Sequence, residues 1–143
     1  MRRFMIIGFT GTQHGMTTAQ REAVTAILET WPRGWLSHGD CIGADADAHQ
    51  IALAANWKVT LHPPDNAAKR AWCTGASIIM KPRPYLERNK NIVTKCQVMI
   101  AAPSGATERV RSGTWATIRY ARRLERPICI VAPDGAYNTE RWS

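Results

Sequence analysis

The sequence predicts an α/β fold. It reads as one domain, residues 1–143, built as a three-layer sandwich around a five-stranded, mostly parallel sheet of order 3-2-1-4-5. Three observations lead there. Short apolar, β-rich runs alternate with stretches of helical period along the chain. Mostly short connections between such elements give parallel strands with helices on both faces. Three of the runs are uniformly apolar, as strands buried on both faces must be, and two are more polar.

Arg3 to Phe9 is the first apolar run and reads as a buried strand. Met16 to Trp31 follows as a helix, with Val24, Ile27, Leu28 and Trp31 on one face. Thr17 and Gln20 match a capping box at its start, and Pro32, Arg33 and Gly34 stop it. Trp35 to His38 is a short second strand. Ala48, Ile51, Ala52 and Ala55 mark the next helix, with Asp45 near its start. Lys58 to His62 alternates polar and apolar residues, as an edge strand does.

Pro63 to Pro84 is long and irregular, which in a compact domain points to a functional loop or to disorder. Pro84 suits a first helical turn, and Asn89, Ile92, Val93 and Cys96 form the inner stripe of the helix after it. Val98 to Ala102 is the fourth strand. Ser112 to Leu124 is the last helix, with Ile118, Ala121 and Leu124 inward, and Ile128 to Ala132 the fifth strand. The tail from Pro133 reads as loose. The apolar strands at Arg3, Val98 and Ile128 belong at the centre, and those at Trp35 and Lys58 toward an edge. The order 3-2-1-4-5 satisfies this and reverses between the first and fourth strands, where open α/β sheets bind ligands.

Bulk properties narrow the function. No stretch approaches the roughly 20 apolar residues of a membrane span. The opening "MRRFMIIGFT" is too short in its apolar run for a signal peptide and reads as the first strand. Cys41, Cys73, Cys96 and Cys129 are unevenly spaced with no CxxC, so neither a metal site nor a disulfide framework is expected. A reducing, cytoplasmic setting follows. The net charge of +8 favours anionic partners such as nucleotides or nucleic acid.

Three strand-to-helix junctions carry the chemistry. Helix N-termini offer unpaired N–H groups and partial positive charge, which suit phosphate. Gly8, Thr10, Gly11 and Thr12 follow the first strand, and Ser112, Gly113 and Thr114 open the helix after the fourth. These two junctions flank the expected switch point, and together they read as one phosphate-binding site. The first loop is neither GxGxxG nor GxxxxGK[ST].

In "HGDCIGADADAHQIA", Gly39 and Gly43 permit a tight loop. Asp45 either caps its helix or accepts from a ribose hydroxyl, and Asp40 is similar. His38 is either a ligand contact or structural. Arg88 and Asn89 stand near the start of a helix at the ligand edge; Arg88 either meets an anion that offsets its repulsion from the helix terminus, or pairs with Glu87 or makes a tertiary contact. Glu108 is either a general acid or base or an ion-pair partner of Arg109 or Arg111. Trp72 either stacks on a base or anchors the long loop. Arg119, Arg122, Arg123 and Arg126 form a basic outer face, either solvated or a track for a phosphate backbone.

"HGDCIGADADAHQIA", "LERNKNIVTKCQVMIAAPSG" and "RSGTWATIRYARRLERPICIVAP" resemble the SLOG superfamily of Rossmann-like nucleotide-binding proteins over nearly the whole chain. That group includes the lonely-guy phosphoribohydrolases, the Rossmann-like domain of the DNA-processing protein Smf, and nucleotide-sensing modules of bacterial defence systems. The resemblance implies a ligand with phosphate and ribose, held at Gly8, Thr10, Gly11, Arg88, Ser112, Gly113 and Thr114. Phosphoribohydrolases carry PGGxGTxxE. The counterpart of that Glu here is Thr117, or Glu108 if the insertion before "SGT" shifts the alignment, while Arg88 matches the family's catalytic arginine in context.

The leading expectation is binding or sensing of a nucleotide or phosphoribosyl ligand at Gly8, Thr10, Gly11, Thr12, Gly39, Asp45, Arg88, Asn89, Ser112, Gly113 and Thr114, with no metal or cofactor. The alternatives are N-glycosidic hydrolysis of a nucleoside monophosphate by Glu108 and Arg88, and single-stranded nucleic-acid binding. Relatives often dimerise, so a homodimer or higher oligomer is a further expectation.

Overall fold

The computed structural model describes residues 5–142. Its element order is β1(Ile6–Gly11), α1(Thr18–Thr30), β2(Trp35–His38), α2(Ala44–Ala54), β3(Lys58–Leu61), a 3-10 turn (Ala67–Lys69), β4(Ile78–Ile79), α3(Tyr85–Lys95), β5(Val98–Ala102), α4(Gly113–Arg123), β6(Ile128–Val131) and β7(Tyr137–Glu140). The expected start of the first strand, Arg3, lies outside the described residues.

The sheet has seven strands, not five, in the order β4-β3-β2-β1-β5-β6-β7. The five expected strands keep their order at the centre, all parallel. Both additions are at the edges. Within the segment read as one long irregular loop, Ile78 and Ile79 pair with Thr60 and Leu61, so β3 is not the edge strand its alternation suggested. The tail is not loose either. Residues Tyr137–Glu140 pair antiparallel to β6, and Trp142 packs on Trp31 with ring centroids 4.9 Å apart.

Strand alternation sorts the core into two layers. Ile7 and Phe9 of β1, with Ile100 and Ala102 of β5, face α1 and α2, where Val24, Leu28, Ala48 and Ala52 close the layer. Met99 and Ala101 face α3 and α4, against Ile92, Val93, Trp115 and Ile118. Gly8 faces α3 so tightly that a Cβ there would overlap Met99 Sδ and lie 3.0 Å from Cys96 Sγ. Among the described residues no helix is long and apolar enough to cross a membrane.

The capping box at α1 forms as expected. Gln20 N–H donates to Thr17 Oγ1 and Thr17 N–H to Gln20 Oε1, both at 3.0 Å. The Gln20 amide then donates to Pro103 O and Val131 O, each at 2.9 Å. One buried side chain thus ties α1 to the carboxyl ends of β5 and β6, where the crevice begins.

Candidate functional site

Two chambers open at the carboxyl rim of the sheet, one on each side of β1. The first, ≈ 250 Å³, lies between the β1 loop, the β2–α2 loop and α3. Thr10, Gly11, Gly39, Asp45, Arg88 and Asn89 line it, and the loop after β3 adds Asp65, Asn66 and Lys69. The second, ≈ 280 Å³, lies between the β1 loop and the start of α4. Its lining includes Thr12, Arg109, Arg111, Ser112, Gly113 and Thr114. Gly11, Gln13 and Tyr85 belong to both. The sheet order reverses between β2-β1 and β1-β5, so the pair of chambers straddles the topological switch point.

Of the eleven ligand-binding positions expected from sequence, ten line one chamber or the other. Gly8 does not, because it is the packing glycine beneath α3. Glu108 also lies outside both chambers. Its carboxylate accepts from Arg119 Nη1 at 2.8 Å and lies 3.7 Å from Arg122 Nη1, on the surface. Thr117, the other position aligned with the family's glutamate, is buried and donates its hydroxyl to Gly113 O.

The wall of the first chamber is a buried polar network. Asp45 is not the cap of α2; Gly43 holds that position with φ of 97°. Instead Asp45 Oδ2 accepts from Gly39 N–H at 3.1 Å and Cys41 N–H at 3.2 Å, pinning the loop. Oδ1 has no hydrogen-bond partner among the described residues, and Asp45 lines the chamber. Burial pushes the Asp45 carboxyl up to about 6, opposed by the Arg88 guanidinium and the two loop amides. Arg88, 2% exposed, donates through Nη1 to Gly39 O at 2.6 Å and through Nη2 to Cys41 Sγ at 3.3 Å. Its Nε is buried without a partner. Asp40 adopts a left-handed φ of 51°, pairs with Arg70 at 2.8 Å and accepts from Cys73 N–H.

Behind this wall His38 and His49 form a relay whose tautomers are set by geometry. His38 Nδ1 accepts from Asp40 N–H, so its proton sits on Nε2 and points to His49 Nδ1, 3.0 Å away. His49 then donates from Nε2 to Thr74 O at 2.6 Å. Cys73 Sγ brings a third metal-capable atom within 4.8 Å of the two rings. Metal binding at His38 Nε2 would move the ring proton to Nδ1, facing the Asp40 N–H. The arrangement is therefore that of a neutral hydrogen-bonded relay. Burial, then His49, holds His38 down to about 3. Of the two readings that His38 allows from sequence, this is the structural one.

The second chamber is open and cationic. Ser112 caps α4, its Oγ accepting from Trp115 N–H at 3.2 Å. The first amides of α4 therefore face a chamber whose charged lining is Arg109 and Arg111, with no acid. Neither arginine has an ion-pair partner among the described residues. Tyr85 stands between the chambers. Its ring lies 5.1 Å from the Arg88 guanidinium, and a Cβ on Gly113 would overlap its hydroxyl.

Sequence reasoning passed over Tyr85, Gln13, Arg109 and Arg111 as contacts. The available signal for Tyr85 was its place beside Pro84, at the mouth of a helix on the ligand edge. Trp72 lines neither chamber and lies beneath the Arg70 guanidinium, 3.9 Å from the ring centroid. The basic outer face of α4 is largely committed. Arg119 binds Glu108, Arg122 binds Glu140, and Arg126 binds the carbonyls of Val93 and Thr94.

No protein-family model matches the chain, and no curated protein matches its sequence. Solved structures do resemble it. The molybdenum cofactor binding protein from the phototrophic bacterium Rippkaea orientalis superposes with a TM-score of 0.66 at 20% identity, over 90% of this chain and 76% of that one. The Moco carrier protein from Chlamydomonas reinhardtii gives a TM-score of 0.66 at 19% identity, over 90% and 76%. DNA processing protein A from Helicobacter pylori, described for its single-stranded DNA binding mode, gives 0.61 at 15% identity, over 92% and 69%. These likenesses show the fold, and it is the Rossmann-like fold that the SLOG resemblance implies.

Proposed function

We propose that the crevice binds a nucleotide or other phosphoribosyl ligand. The phosphate would lie at the start of α4 with Arg109 and Arg111, and the sugar hydroxyls would donate to Asp45. One observation carries the reading: a chamber lined by charges of both signs and a purely cationic one meet at Gly11, Gln13 and Tyr85. The cationic end presents helix-terminal amides to an anion. The other end presents Asp45 Oδ1, unpartnered among the described residues, to a donor-rich group. The fold neighbour named for binding the molybdenum cofactor supports a small-molecule occupant.

N-glycosidic hydrolysis draws less support, because the Glu108 carboxylate is held by two surface arginines. Single-stranded nucleic acid is favoured by the fold neighbour from Helicobacter pylori but not by the α4 face, whose arginines have partners of their own.

The test is thermal-shift and calorimetric titration of nucleoside mono- and diphosphates and sugar phosphates. A ligand at a hundred times its Kd stabilises the fold by about 2.7 kcal/mol. Arg111→Ala should weaken binding roughly tenfold without lowering the unliganded Tm, since the arginine has no ion-pair partner among the described residues. An unchanged Kd in that variant, or no stabilisation by any of these compounds, would sink the proposal. A steep salt dependence of oligonucleotide binding would favour nucleic acid instead.

A further inference from the structure

On the far side of Arg88 lies a smaller chamber of ≈ 80 Å³. His62 reaches it from the end of β3, Lys81 and Arg83 from the segment after β4, and Arg88, Asn91 and Lys95 from α3. Arg88 is the one residue that lines both this chamber and the crevice, so the two are separate compartments.

Three properties of the chamber need a common explanation. Its lining holds no carboxylate. One buried side-chain atom there lacks a partner, and one ring makes no bond to the described residues. His62, 5% exposed, has no side-chain hydrogen bond among the described residues, its only bond being from backbone N–H to His38 O. Arg88 Nε is buried and unsatisfied. Finally, like charges converge there. Among the described residues Lys81, Arg88 and Lys95 have no ion-pair partner, and only Arg83 is paired, with Glu87 at 3.3 Å.

An orphaned buried donor is costly, and the exposed Lys81, Arg83 and Lys95 around it add like charge that an anion would balance. A water molecule takes about 30 Å³, so the space suits one tetrahedral oxyanion. We propose that this chamber binds a small inorganic oxyanion of the size and charge of phosphate, with Lys95, the His62 ring N–H and Arg88 Nε as donors. The bound ion would steady Arg88, whose other nitrogens hold Gly39 and Cys41 in the crevice wall.

The electrostatics agree with this assignment. The His62 imidazole is held down to about 4 by burial first, then by Lys95 and Arg88. The groups around it are Lys95 and Arg88 of α3, Lys81 and Arg83 after β4, and the neutral His38 of β2. An anion among them opposes the two cations and raises the value.

The experiment follows histidine ring resonances of the full chain during titration with inorganic phosphate at constant ionic strength. Phosphate should raise the His62 midpoint by about one unit or more, saturably, whereas equivalent chloride should not. His14 lines the α4 mouth and reports binding there separately. Lys95→Gln, at an exposed position, should weaken the His62 response roughly tenfold and leave that of His14 intact. Arg111→Ala should do the reverse. If acid unfolds the chain first, the same titration at pH 7 reads the His62 ring nitrogen shifts. An unmoved His62, an equal response to chloride, or a His62 response lost with Arg111 rather than Lys95 would overturn the proposal.

Discussion

Gly39 and Gly113 floor opposite ends of one crevice, yet their surroundings differ in kind. A Cβ on Gly39 would overlap Arg88 Nη1, lie 2.6 Å from Arg88 Cζ and 3.0 Å from Asp45 Oδ2. These belong to a buried charge network. The atoms nearest a Cβ on Gly113 all belong to Tyr85, and its hydroxyl, the first met, is the far end of the side chain of a residue 42% exposed. The β2–α2 end is thus pre-organised, held by Asp45 Oδ2 and the Arg88 Nη atoms, with Asp45 Oδ1 left over. The α4 end is adjustable, with free arginines and a ring that can swing. Rigid recognition at one end and accommodation of charge at the other is a division of labour suited to an elongated, polar ligand.

The comparison predicts its own mutational consequences. The largest effect should come from Asp40→Ala on the rigid side. It leaves Arg70 without its buried partner and places a Cβ residue without a local acceptor at φ 51°. We expect a loss of about 3 kcal/mol, or a Tm drop near 10 °C by calorimetry. A drop under about 3 °C would mean the wall is less cooperative than its bonding suggests.

Gly39→Ala comes next, at about 2 kcal/mol, because it displaces Arg88 from Gly39 O and leaves buried donors unpaired. Gly113→Ala is the matched substitution on the adjustable side. It should cost less than about 1 kcal/mol, since only Tyr85 must rotate. It should nonetheless change ligand affinity by threefold or more, as read by titration calorimetry. Equal destabilisation by the two alanines would erase the distinction.

The smallest effect is a slope. His38 and His62 have folded values of about 3 and 4, below their ordinary 6.5, so the unfolded chain binds their protons first. Their contribution is fully present above pH 6.5 and is lost as pH falls toward those values. Asp45, raised to about 6, acts oppositely between pH 6 and 3.8, where the folded chain binds the proton. Stability should therefore fall on acidification below pH 6.5, partly offset by Asp45. Asp45→Asn removes the offset, so urea unfolding near pH 5 should show about twice the pH slope of the parent protein. An unchanged slope would place the Asp45 carboxyl at its ordinary value.

The central five strands, four helices and the caps at Thr17 and Ser112 were legible because periodicity and capping are local signals. β4 and β7 were not. A two-residue strand has no period to detect, and "YNTE" is polar because it lies exposed on one edge of the sheet. The crevice was legible at its glycine and hydroxyl junctions, whose chemistry is carried by consecutive residues. Tyr85 was not, because its role exists only where α3 crosses the start of α4. Glu108 misled through sequence proximity to "SGT", while its partners come from Arg119 and Arg122, a turn and more down α4.

The unequal flanks of the sheet have a consequence for self-association. Long parallel sheets offer bare backbone along their margins, a template on which foreign chains can polymerise. Here β7 seals one margin with an antiparallel, polar strand. On the opposite margin the recruitable backbone amounts to Ile78 and Ile79, followed closely by Lys81, Pro82 and Pro84. A cation and two prolines there leave little room for an intruding strand to propagate, so fibril growth from either flank should be slow.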